Sequence, residues 1–190
     1  MSDAVLLLAL VVLALLVGLI LAYNKLAALR IRATNAWSDI DVQLKRRWEL
    51  IPNLVEAVRG YAAHEQRTLE ETIAARSRAQ QATAIPERGA AESEVTRATH
   101  QLLALTEAYP QLKANELFAR LYHDLVEVES HLASSRKYYN AVVRDFNTAI
   151  QQFPSNIVAR LAGHEELAFF QLEDETEAAA PRITLEAPRP

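Results

Sequence analysis

LYHDLVEVESHLASSRKYYNAVVRDFNTAIQQF, residues 121 to 153, places Leu121, Leu125, Val128, Leu132, Ser135, Tyr139, Val142, Phe146, Ala149 and Phe153 at alternating steps of four and three. A 3.5-residue repeat of this kind specifies a long helix whose seam packs against other helices at a shallow angle. Ser135 and Tyr139, with Arg136, Asn140 and Arg144 beside them, put polar groups near the middle of the seam, where they fix register or meet a partner. Toward the N-terminus, Asn115 is a suitable N-cap for this helix, and Tyr109-Pro110 stops the preceding one, because a residue before proline is steered away from helical geometry. That preceding helix is predicted over Ala90 to Ala108, with a loop over Ala82 to Gly89 around Ile85-Pro86 and another helix over Glu65 to Gln81. Pro154 closes the seam helix, and Ser155 to Phe170 reads as one short amphipathic segment carrying Ile157, Leu161, Leu167, Phe169 and Phe170.

The first third of the chain is predicted to be one helix. Trp37, Ile40, Leu44, Trp48, Ile51, Val55 and Val58 trace a single face; Pro52 is expected to kink it, Gly60 to end it, and Tyr61 to Glu65 to turn. Before it, residues 4 to 23, AVLLLALVVLALLVGLILAY, are apolar without interruption. Twenty helical residues cover roughly 30 Å, the thickness of a bilayer's hydrocarbon core, so this run is expected to be a membrane anchor continuing into the soluble helix. A cleaved secretory signal would need a basic start, a shorter apolar stretch and a small-residue cleavage site, which this stretch does not offer. Lys25, Arg30 and Arg32 follow the run and only Asp3 precedes it, which predicts an outside N-terminus and a cytoplasmic remainder at the inner membrane.

A formal charge of −4 with acids and bases interleaved offers no basic stripe for nucleic acid, and no small-molecule substrate is evident. Zero cysteines exclude disulfides and thiolate chemistry. Four glycines and an abundance of Ala, Leu, Glu, Arg and Gln indicate an all-α body: two long rods with a shorter helical hairpin packed along them. From Leu172 the chain is acidic and then Pro-rich, as in a flexible tail; Arg182 to Leu185 is its one strand-like stretch.

His123, Glu127 and His131 at i, i+4 and i+8 are the metal-like constellation, but they fall outside the seam, and a solvated face is the simpler reading. His64-Glu65 lacks the second histidine of a zincin, since Thr68 stands there. No phosphate loop or nucleophile elbow is present, so no catalytic residue, metal or cofactor is assigned. Lys45, Arg46 and Arg47 begin 22 residues after the apolar run, roughly 33 Å along a helix, so salt bridges to Asp41, Glu49 or another helix are expected rather than lipid contact.

Specific strings add to this. Tyr23-Asn24, Ala36-Trp37, IDVQLKRR from Ile40, LIPNLVE from Leu50, GYAAHE from Gly60, LLALTEAYPQLKANELF from Leu102, Tyr139-Asn140, VRDFN from Val143 and FPSN from Phe153 resemble the LemA family of membrane-anchored bacterial proteins. Trp48, Val128 to His131 and Ala162 to His164 depart from the family's pattern. The resemblance implies an all-α fold, one N-terminal transmembrane helix followed by an antiparallel, up-down four-helix bundle. Its parts would be an anchor over 1–24, a bundle over 25–154, the amphipathic segment over 155–170 and a tail over 171–190. It further implies a non-enzymatic protein, an association with membrane proteases or quality control, and relatives in specialised bacterial membrane organelles.

Two functions are therefore expected to compete. One is a membrane-tethered scaffold binding other proteins through Gln43, Arg46, Arg47, Asn53, Asn115, Arg136, Asn140, Arg144 and Asn147, residues that would otherwise serve hydrogen bonds between helices. The other is a membrane-bound metal sensor or enzyme assembled around His123, Glu127 and His131.

Overall fold

The computed structural model describes residues 2–172, which contain helices and no strands. Helix α1, Ser2–Arg59, runs without a break from the apolar stretch into the body. It is long and apolar enough to cross a membrane, and its most apolar 18-residue window has a mean hydropathy of 3.4 and packs against nothing in the chain. Burial begins at Leu26 and continues through Ala33, Ala36, Ile40, Leu44, Trp48, Ile51, Leu54, Val55 and Val58, one stripe at helical spacing.

Pro52 lies inside α1 and does not end it. Proline lacks the N–H that would bond the carbonyl four residues back, here that of Trp48. Arg76 replaces the missing donor: its Nε donates to the Trp48 carbonyl at 2.6 Å. Arg76 belongs to α2, Gln66–Gln81, so the repair also pins α2 to α1. The turn between them occupies 60–65.

Helix α3, Ile85–Ala108, starts five residues earlier than predicted from sequence, leaving a connection of 82–84 where a loop to Gly89 was expected. Pro86 sits in the first turn, where a backbone N–H has no helical partner to lose and a fixed φ suits the helix. After Tyr109 come the single turn α4, Pro110–Lys113, and then α5, Glu116–Gln151, whose N-cap Asn115 accepts from the Phe118 N–H at 2.9 Å.

Helix α5 lies antiparallel along α1. Leu26 shares a cluster with Ala149, the Trp37 and Tyr139 rings meet at a tilt of 58° with centroids 5.5 Å apart, Arg47 pairs with Glu129, and Asn115 donates to the Tyr61 hydroxyl. The expected seam residues Leu125, Val128, Leu132, Tyr139, Val142, Phe146 and Ala149 are buried, joined by Phe118 and Val143, while Leu121 and Ser135 are partly buried. Phe153 is a correction: α5 ends at Gln151, so the ring leaves the helical register and stands 80% exposed.

Beyond α5, the expected single amphipathic segment is instead a seven-residue helix, α6, Ser155–Leu161, followed by an extended strap over 164–172. Gly163, at φ +67°, permits the reversal between them, and the Gly163 and His164 N–H groups close the helix on the Arg160 and Ala159 carbonyls. The strand-like Arg182 to Leu185 and most of the predicted tail lie outside the described residues.

The Arg76 contact generates a double-mutant cycle. Arg76→Met is expected to destabilise the protein by about 1–3 kcal/mol by leaving the Trp48 carbonyl unsatisfied. In a Pro52→Ala background, where the substituted alanine restores the backbone N–H, most of that loss should vanish in denaturant titrations. Equal losses in both backgrounds would exclude the repair.

Candidate functional site

Three helices converge on one buried guanidinium. Arg47 of α1 is fully buried: Nη1 donates to Glu92 Oε2 at 3.0 Å, Nη2 donates to Thr96 Oγ1 at 2.8 Å, and Nε faces Glu129 Oε1 at 2.9 Å without hydrogen-bond alignment. The neighbouring Trp48 Nε1 donates to the second Glu92 oxygen at 2.8 Å, so α1 engages both oxygens of a carboxylate from α3. Burial pushes the Glu92 carboxyl above its ordinary 4.5, opposed by Arg47 and the Trp48 N–H, and the charge of Glu129 adds to the upward push.

Arg88 forms a second charged joint on the same side. Its guanidinium bonds the Ala82 carbonyl and Asp41 Oδ1, and lies over the Trp37 and Trp48 rings at 5.7 and 6.0 Å from their centroids. On the far side of Arg47 a cavity of about 270 Å³ is lined by Thr96, Thr99, His100, Tyr122, Val126 and Glu129, among others. The Thr99 hydroxyl is buried there without a partner.

Asn140 and Asn147, one heptad apart on α5, hold the strap. Asn147 Nδ2 donates to the Leu167 carbonyl and its Oδ1 accepts from the Leu167 N–H; Asn140 does the same with Phe170, at 2.9–3.0 Å throughout. The Tyr139 hydroxyl adds a bond to the Ala168 carbonyl at 2.8 Å, and burial raises its pKa. Fully buried, Phe170 meets the Trp37 ring edge-on at 5.4 Å. At Gly89 a Cβ would overlap the Gln171 carbonyl oxygen, so α3 admits the strap only because that residue has no side chain.

The nine residues singled out from sequence thus separate. Arg47, Asn140 and Asn147 face inward onto this chain's own groups, and Asn115 caps α5. Gln43 and Arg136 are partly buried, the former with Oε1 buried and unbonded. Arg46, Asn53 and Arg144 are exposed, with Asn53 bonding back to the Glu49 carbonyl. The histidine stripe is exposed: donor atoms of His123, Asp124 and Glu127 lie within 4.8 Å of one another, and His131 stands 3.6 Å from Glu127. Sequence reasoning missed Glu92, Thr96, Glu129 and Arg88. Glu92 had a legible signal, since Gly89, Glu92, Val95, Thr99 and Leu102 share the inward face of α3, where an acid requires a partner.

The LemA family model matches residues 36–185, which include every residue of this network. The chain belongs to the LemA family. Among relatives, it is 24% identical over 186 residues to the magnetosome protein MamQ 2 of Paramagnetospirillum magneticum, a match that covers 84% of the chain and 68% of that protein. MamQ of Magnetospirillum gryphiswaldense is 24% identical (80% and 65% covered), and protein LemA of Metamycoplasma hominis is 26% identical (74% and 64%). The chain therefore spans about two thirds of the length of these relatives. Neither MamQ nor LemA is the name of an enzyme.

Two outcomes follow from these contacts. Because folding raises the Glu92 pKa, the folded state holds this proton more tightly than the unfolded one; its contribution to stability is complete below the ordinary 4.5 and is lost as pH rises through the raised value. The unfolding free energy of the native protein minus that of Glu92→Gln should fall as pH rises past the ordinary 4.5, and a rising difference would contradict the assignment. Separately, Gly89→Ala should displace the strap and make residues 164–172 cleavable by limited proteolysis while helicity by circular dichroism is retained. Unchanged resistance would show that the strap is not held at Gly89.

Proposed function

We propose that this chain is a single-pass, non-catalytic scaffold of the bacterial inner membrane. The anchor is 1–24, and the body, over 25–154, is an up-down four-helix bundle of the soluble part of α1 with α2, α3 and α5. Helix α6 and the strap of 164–172 pack on it. The observation that carries the reading is the continuity of α1: the exposed apolar run and the buried stripe of the body belong to one helix, so the body stands at a fixed attitude to whatever holds the run. Lys25, Arg30 and Arg32 favour a cytoplasmic body by the positive-inside rule.

The partner is a protein. Arg47, Asn140 and Asn147 are engaged within the chain, and Arg46, Asn53 and Arg144 remain to the outside as polar anchors. The family resemblance points to membrane protease or quality-control assemblies as the class of partner.

The absence of cysteine allows one labelled position at a time. Arg46→Cys in intact cells should resist a membrane-impermeant maleimide and react after permeabilisation; reaction in intact cells reverses the orientation. A photocrosslinker at Arg46 or Asn53 in native membranes should yield a discrete adduct with another protein. No adduct at either position, with the protein present and folded, would sink the scaffold surface as drawn.

A further inference from the structure

We propose that α6 and the turn before it form a second membrane contact, lying in the headgroup layer and inserting Phe153, Ile157 and Leu161 into the lipid. The proposal rests on the reading of residues 4–23 as a membrane span. Leu161 at 83% and Phe153 at 80% are the most exposed large apolar side chains of the described residues, more so than any large side chain of the apolar run itself. Ile157, one turn before Leu161 on α6, is exposed beside them. Single exposed apolar residues are ordinary on protein surfaces, whereas a contiguous group marks a contact.

The inner side of α6 fixes its height. Val158 and Ala159 are buried with Leu26 and Ala149, and Ala22 and Leu29 of α1 pack against this cluster. Ala22 lies within the apolar run, and Leu29 lies six residues past its end, about 9 Å along a helix. Between a hydrocarbon core of about 30 Å and a full bilayer of about 40–45 Å, the headgroup layer is about 5–7 Å deep on each side. Helix α6 therefore lies across the boundary of the hydrocarbon, continuous with the exposed apolar surface of α1.

Charge supports the same occupant. Lys25, Arg30, Arg32, Arg144 and Arg160 stand exposed near this level, with Asp145, Glu165 and Glu166 offsetting part of their charge. Arg30 also ties the start of the strap to α1 by donating to His164 Nδ1 at 3.0 Å. A short element with apolar side chains outward and cations around it suits an anionic lipid surface.

The full chain, reconstituted in phosphatidylethanolamine–phosphatidylglycerol vesicles, tests this with single labelled cysteines at Phe153→Cys, Leu161→Cys, Leu13→Cys in the run and His131→Cys on the body. Positions 153 and 161 are both solvent-exposed in the fold, so labelling leaves packing intact, and circular dichroism verifies helicity. Labels at 153 and 161 should lose emission to nitroxide-bearing lipids and be protected from aqueous iodide, as at 13, while the label at 131 responds only to iodide. If 153 and 161 respond only to iodide while 13 responds to lipid, the α6 contact is wrong and the span stands. If 13 also responds only to iodide, the span fails and takes the proposal with it. Protection of 153 and 161 from both quenchers would show a protein or second copy covering α6, and would equally overturn the lipid contact.

Discussion

The antiparallel seam between α1 and α5 is the constraint to which the other elements answer. Its matched pairs run from Leu26 with Ala149, through Trp37 with Tyr139 and Arg47 with Glu129, to Tyr61 with Asn115. Thirty-five residues of advance on α1 are met by thirty-four of retreat on α5, so the two rods stay in step without an insertion. Helices that pack at a shallow angle can do this only if both repeat their apolar positions at nearly the same period. Arg47, Tyr139, Asn140 and Asn147 are tolerated in the seam because each falls where α3, the opposite rod or the strap presents its complement. Removing one member of a buried pair leaves the other uncompensated, which ties the register of α1, α3 and α5 together at the level of Arg47.

The strap obeys the same periodicity. Asn140 and Asn147 are seven residues apart, about 10.5 Å along a helix, and the residues they bind, Leu167 and Phe170, are three apart, about 10 Å along an extended chain. Each asparagine amide offers a donor and an acceptor, the same pair that a neighbouring β-strand would present. An extended segment is thereby satisfied on a helix surface, with Phe170 set edge-on against Trp37, whose ring also meets Tyr139.

What was legible in the sequence was what repeats or punctuates. The heptad of α5, the stripe of α1, the cap at Asn115 and the break at Tyr109-Pro110 each depend on spacing or on one residue's backbone chemistry, and the structure shows them. What depends on a distant partner was not legible. Pro86 was read as part of a loop because proline both breaks helices and begins them, and only the packing of α3 decides between the two. Phe153 was assigned to the seam because a period alone carries no signal for where the helix ends. The Arg47 network was half visible: salt bridges from the Lys45, Arg46 and Arg47 cluster to another helix were expected, but Glu92 lies 45 residues away and Glu129 82 away.

The register also divides the polar surface by height. On the proposed topology Arg144 of α5 stands near the level of Arg32 of α1, about 14 Å past the end of the apolar run, whereas Arg46 and Asn53 stand about 35–45 Å beyond it. Screening lengths of about 8–10 Å at cellular ionic strength separate these two levels into different electrical environments. Charges near Arg32 feel the anionic leaflet, and charges near Arg46 do not. A single partner that engaged both would have to run along the rod for several turns, while one that met only Arg46 and Asn53 would have to project as far from the membrane as this body does. The continuity of α1 through Pro52, where Arg76 donates to the Trp48 carbonyl, is what gives that distance a definite value.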